Sequence, residues 1–182
     1  MKKFSLLQKI RNKIRIKGTV SLSIANSAKI AGCDISIRGE NNRLEIEEGA
    51  TLRKSQIEIL GNNCSIFIGK NCIIGHGCYI SAKEGKKVVI KVDCMLSRNV
   101  KLMTSDGHPI FQDGKVINEG ADIIIDEHVW LADNVTILKG VHISKNSVAG
   151  INSTVTKDIA KGSIVAGNPA KVIKSDITWA EE

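Results

Sequence analysis

From Ile35 to Val155 apolar residues are set in pairs two positions apart, with polar residues between the pairs. Two residues is the side-chain period of a β-strand, so each pair predicts a short strand with one inward face. The pairs sort into three columns. The first holds Leu44/Ile46, Ile66/Ile68, Val88/Ile90, Ile123/Ile125 and Val141/Ile143. The second holds Ala50/Leu52, Cys72/Ile74, Cys94/Leu96, Val129/Leu131 and Ser147/Ala149, and the third holds Ile35/Ile37, Ile57/Ile59, Cys78/Ile80, Val100/Leu102, Val135/Ile137 and Ser153/Val155. Three strands per turn predict a triangular β-solenoid, in which each coil buries its apolar residues only against the coils on either side. A leucine-rich repeat is excluded, because no L-x-x-L-x-L pattern is present.

The repeat is about 18 residues with additions, and most additions enter between the third column and the first: Gly39 to Arg43, Gly61 to Ser65, Ala82 to Lys87 and, much the longest, Met103 to Asp122. They are expected to share one edge of the prism. The segment after residue 165 leaves the beat through the turn signal Gly167-Asn168-Pro169 and is expected to close the solenoid. The expected organisation is a basic segment at 1–13, the solenoid at 14–165 with an inserted loop at 103–122, and a closing segment at 166–182.

Composition narrows the class. Aromatic residues make up 3% of the 182-residue chain, which suits a thin stacked core. Cys33, Cys64, Cys72, Cys78 and Cys94 include no C-x-x-C pair, and Cys72, Cys78 and Cys94 fall in inward slots, so they read as small core residues. With no apolar leader segment visible, a cytoplasmic location is expected, and no stretch is long and apolar enough to span a membrane. The formal charge of +7 is concentrated in residues 1–17, which contain Lys2, Lys3, Lys9, Arg11, Lys13, Arg15 and Lys17 and no acid. That segment is either a solvated tail or a contact with membrane or anionic polymer. Nucleic acid is not expected, because no binding motif or stacking platform accompanies the charge.

A loop that interrupts a solenoid adds no core, so residues 103–122 are the candidate site. Within them His108 is the group able to accept a proton near neutral pH. A histidine in an Asp-Gly turn is by default a surface residue; Asp106 and Asp113 are candidates to orient its ring, and Trp130, between inward Val129 and Leu131, is an outward aromatic on a solenoid face.

The run Asn99-Val-Lys-Leu-Met-Thr-Ser-Asp-Gly-His-Pro109, followed by "HVWLADNVTILKGVHISKNSV" and "STVTKDIAKGSIVAGNPAKVI", resembles the hexapeptide-repeat acetyltransferases, the group that includes galactoside, maltose and capsular-polysaccharide O-acetyltransferases. The resemblance covers residues 14–179. It implies an all-β, left-handed parallel β-helix and acetyl-CoA-dependent transfer of acetyl to a sugar hydroxyl, without an acyl-enzyme and without a metal. His108 matches the general base, Asn99 an asparagine contacting the acceptor, and Trp130 the tryptophan lining the pantetheine arm. Asp133, Gly150, Ile151, Thr156, Lys157 and Lys174 match positions that contact the cofactor. The resemblance further implies a homotrimer with the cofactor between neighbouring prisms, so that His108 meets Trp130 of the adjacent chain. Departures are Ile125-Asp126 and Leu131-Ala132 where the family often has Ile-Gly, and Gly150-Ile151-Asn152 where it has Gly-Ala-Gly. The acceptor class expected is a bacterial surface polysaccharide or its precursor. An N-acetyltransferase on an amino sugar, an antibiotic-modifying enzyme and a non-catalytic assembly solenoid are the alternatives. A zinc carbonic anhydrase on the same fold would need three converging histidines, which His76, His108, His128 and His142 do not supply by spacing.

Overall fold

The computed structural model describes residues 3–181. Among these, the chain winds into three parallel sheets that form the faces of a prism of about six turns. The first face carries Val20–Ile24, Asn42–Ile46, Ser65–Ile68, Lys87–Ile90, Ile123–Ile125 and His142–Ile143. The second carries Lys29–Ala31, Thr51–Arg53, Ile73–Ile74, Met95–Leu96, Trp130–Leu131, Val148–Ala149 and Ile164–Gly167, with Ala170–Lys174 folded back antiparallel on the last of these. The third carries Lys13–Lys17, Asp34–Arg38, Gln56–Leu60, Tyr79–Lys83, Lys101–Met103, Thr136–Ile137 and Thr154–Val155. The solenoid therefore contains one coil ahead of those counted in the columns. No helix among the described residues is long and apolar enough to cross a membrane.

The inward residues stack in file. Leu52, Ile74, Leu96 and Leu131 pair coil to coil on the second face, and Leu44, Ile66, Val88 and Ile123 do so on the first. All eight are fully buried, and a buried aliphatic side chain of this size contributes about 1.5–3 kcal/mol. The five cysteines are free and buried among them.

The third face corrects the sequence columns in one place. Ile57 is expected opposite Cys78, but its partner is Ile80, with Ile59 opposite Ala82. The early strands here are five residues long and, together with the buried residue just before each, offer three inward positions, Cys33-Ile35-Ile37 and Cys78-Ile80-Ala82 among them, rather than two. A slip of two residues keeps every side chain on its proper face, so alternation alone does not detect it.

Corners between faces are turned by glycines and by side-chain-bearing residues with left-handed backbone, the latter mostly Asn or Asp, which tolerate that conformation better than other such residues. Their side chains then bond along the prism: Asn41 Nδ2 donates to Asn63 Oδ1 at 2.7 Å, and Asn71 Nδ2 to Asp93 Oδ1 at 3.0 Å. At the edge between the third and first faces, Gly18 and Gly39 have φ of 107° and 110°, and a Cβ on either would lie 2.1 Å from the carbonyl oxygen of the next coil's glycine. Only glycine fits there.

Candidate active site

The inserted loop is pinned at its base. Thr104, fully buried, accepts the Lys83 N–H on Oγ1 at 2.9 Å, and its carbonyl accepts the Ala121 N–H at 2.9 Å. The chain thus leaves and rejoins the solenoid at one point, on the edge between the third and first faces. From the preceding coil, Glu84 takes both legs: its carboxylate accepts the Ser105 hydroxyl and, at 2.6 Å, the Gly120 N–H. From the following coil, Lys139 Nζ donates to Asp106 Oδ2 and to the Asn118 carbonyl, each at 2.6 Å.

Asn118 ties the interior of the loop. Its Oδ1 accepts the Ile110 N–H at 2.6 Å, while its Nδ2 donates to Asp106 Oδ2 and to the His108 carbonyl, both at 2.9 Å. Beyond it, Phe111–Gln112 and Lys115–Val116 form a two-stranded ribbon. His108 is therefore held by its backbone, and its ring is exposed, with no hydrogen bond to another described residue. The Lys139 ammonium and then the Asn118 amide hold the Asp106 carboxyl below the usual carboxylate range; the Ser105 hydroxyl, ahead of the Gly120 N–H, does the same for Glu84. Asp106, expected beside the His108 ring, instead has its carboxylate on Lys139 and Asn118. Asp113 sits at the turn of the ribbon with φ of 48°.

Trp130 stands on the second face. Its indole N–H donates to Ser97 Oγ of the preceding coil at 3.0 Å. The closing segment brings Trp179 beside it: the two rings are tilted with centroids 6.0 Å apart, while Trp179 stacks on His128 at 4.4 Å and donates to the His128 carbonyl at 2.8 Å. At the corner between the second and third faces, Asp133 accepts the Arg98 N–H and its Nε, each at 2.9 Å. Asn99, with φ of 58°, donates to Asn134 at 3.1 Å, and Asn134 to Asn152 at 2.9 Å. Asn99 is thus the start of a corner ladder, and Asn152, with φ of 59°, occupies a left-handed position that a glycine would also suit. Gly150 and exposed Ile151 lie at the same corner, and Lys174 is exposed on the last strand of the second face.

Thr156 and Lys157 do not join this group. They follow Thr154–Val155 at the edge between the third and first faces, the edge that also carries Lys139 and the loop. The residues singled out from sequence therefore form two sets: His108, Asp106, Asp113, Thr156 and Lys157 on one edge, and Asn99, Trp130, Asp133, Gly150, Ile151 and Lys174 on or beside the face across from it. Sequence reasoning missed Glu84, Asn118, Lys139 and Trp179. Of these, Asn118 lies in the inserted loop and Glu84 in one of the smaller additions at its edge, while Lys139 and Trp179 left no signal. Among the described residues no group of three or more His, Cys, Asp or Glu could hold a metal ion.

No protein-family model matches the chain. Individual proteins do. The polysialic acid O-acetyltransferase of Neisseria meningitidis is 36% identical over 165 residues, which make up 89% of this chain and 76% of that protein. The chain belongs to the hexapeptide-repeat acetyltransferases. The polysialic acid O-acetyltransferase of Escherichia coli O1:K1 / APEC is 42% identical over 117 residues, 63% of this chain but only 38% of that longer protein. The crystal structure of the polySia specific acetyltransferase NeuO superposes with a TM-score of 0.75 at 34% identity, covering 95% of this chain and 84% of that one. The prism is accordingly the left-handed parallel β-helix of these acetyltransferases.

Proposed function

We propose that the protein is an acetyl-CoA-dependent O-acetyltransferase that modifies a sugar hydroxyl of a surface polysaccharide, with His108 as general base and the site formed between copies in a homotrimer. The observation that carries the reading is the division of the candidate residues. In a triangular prism the edge between the third and first faces lies across from the second face, so His108 and Trp130 of one chain stand on opposite sides. They serve one site only if two chains supply it, and cyclic symmetry repeats such a pairing around the assembly.

The side chains suit the donor. Half-buried Trp130 and exposed Ile151 offer an apolar wall to the pantetheine arm, and Lys157 and Lys174, exposed and without ion pairs among the described residues, offer charge to phosphates. Acetyl-CoA supplies the acetyl group as an activated thioester. His108 takes the hydroxyl proton on a ring nitrogen as the oxygen attacks, and returns it to the departing sulfur. Glu84, Asn118 and Lys139 fix the backbone that carries it, and Asp106 acts through the same anchoring. Relatives named for polysialic acid favour a polymeric acidic sugar as acceptor.

The test is an acetyl-transfer assay with labelled acetyl-CoA against sialic acid polymer, neutral polysaccharides, free sugars and amino sugars, alongside thermal unfolding with CoA. A native-state ligand raises the melting temperature, so CoA is expected to raise it and label to appear as an ester on a sugar polymer. Absence of any shift at millimolar CoA, or label found only as an amide, contradicts the reading.

A further inference from the structure

We propose that the amino-terminal helix docks the protein on an anionic lipid surface. The helix, Leu6–Arg11, is capped by Ser5 and Gln8 through a reciprocal capping box. Its amphipathicity is inverted relative to a helix that packs on a core. The side turned to the solenoid is mainly polar: Gln8 is buried and its amide donates to the Ala28 carbonyl at 3.1 Å. Asn12, just past the helix, donates to the Ile30 carbonyl at 2.9 Å and accepts the Cys33 N–H at 2.8 Å. These bonds satisfy backbone groups at the open end of the first coil, and Phe4 adds a large apolar side chain to the core there.

The opposite side is apolar and is left exposed by the described residues. Leu6, Leu7 and Ile10 are 76%, 55% and 74% exposed. At 100° per residue these positions fall within about 100° of arc, away from Gln8. An exposed apolar stripe on a soluble surface marks an interaction site.

Charge selects the occupant. The first acidic residue of the chain is Asp34, so the whole first coil and the helix carry basic groups alone. Lys13 and Arg15 are paired with Asp34, at 3.6 and 2.6 Å, but Lys3, Lys9 and Arg11, which flank the stripe, have no ion pair among the described residues. Apolar side chains ringed by unpaired cations match an anionic bilayer, whose headgroups take the charge while its acyl boundary takes the leucines. A soluble acidic polymer would use the cations and leave the stripe exposed. One helix this short binds weakly; if the proposed trimer presents three on one end, they act together.

Vesicle co-sedimentation of the full chain tests this, with vesicles of phosphatidylglycerol and phosphatidylcholine set against phosphatidylcholine alone. Binding is expected to the anionic vesicles only, to weaken with salt, and to fall roughly tenfold or more in the triple variant Leu6→Ser, Leu7→Ser, Ile10→Ser. Circular dichroism and CoA-dependent stabilisation should stay as in the wild type, because Gln8 and Asn12 are untouched. As a second readout, Ile10→Cys takes an environment-sensitive dye selectively, since the five native cysteines are buried, and its emission should shift to the blue on anionic vesicles only. No binding by the wild type, binding indifferent to the triple variant, or a dye shift that follows protein concentration without lipid overturns the proposal. The last result would give the face to a second copy of the chain.

Discussion

His108 is the base of the proposed mechanism, and in the folded chain the loop holds its backbone. Its carbonyl is bound by Asn118 while its ring stays exposed, so the backbone is fixed and the ring is open to a substrate. Replacing it with alanine is expected to lower acetyl transfer by about two to four orders of magnitude. Circular dichroism should not change, because the side chain is exposed; a variant that keeps its full turnover would strip His108 of the role. Its supports have their own pH signature. Asp106 and Glu84 have carboxyls depressed in the folded state, by Lys139 and by Ser105 first of all. Their stabilisation is complete above the ordinary carboxylate pKa of about 4 and is lost as pH falls through the lower folded values. Cleavage of the 107–117 segment by an acid-active protease should therefore stay slow from neutral pH to about 4 and accelerate below it. Acceleration already between pH 7 and 5 would mean that other groups hold the loop.

At the level of the strand, stability comes from stacking in file. Leu96 lies fully buried between Ile74 and Leu131, so Leu96→Ala leaves a void that two rigid coils cannot close, and a loss of about 2–5 kcal/mol in denaturant unfolding is expected. A loss under about 0.5 kcal/mol, the usual range for surface positions, would deny Leu96 its place in the core. The same stacking made two columns legible in the sequence, because Ile, Leu and Val repeat at fixed offsets wherever one inward pair meets the next. The third column slipped by two residues because the longer strands, with the residue before each, offer three inward positions, and alternation is blind to an even shift. The loop could be located by its length and its edge, yet the bonds that anchor it could not be read. Asn118 and Lys139 are ordinary polar residues until Lys139 is brought one coil beyond the loop's base, a distance set by the winding rather than by any local motif. Trp179 was hidden for a similar reason, since a tail beyond the repeat has no column to predict what it covers.

Over the whole molecule, the proposed function makes the prism a spacer that keeps two halves of a site apart within one chain. The loop edge carries His108 and Lys157; the opposite face and its neighbouring corner carry Trp130, Ile151 and Lys174. The loop also leaves Ile110, Phe111, Val116 and Ile117 exposed in the single chain, apolar surface that a neighbouring copy would cover. If chains assemble as proposed, His108 of one works with Trp130 of the next. The most direct measurement is acetyl transfer by co-expressed His108→Ala and Trp130→Ala chains, purified as mixed oligomers and assayed at limiting acetyl-CoA. Each variant alone should be strongly impaired, whereas random mixed trimers regain intact pairs at about a quarter of their sites and the matching share of activity. Mixed oligomers no more active than the better of the two single variants would contradict a site shared between chains.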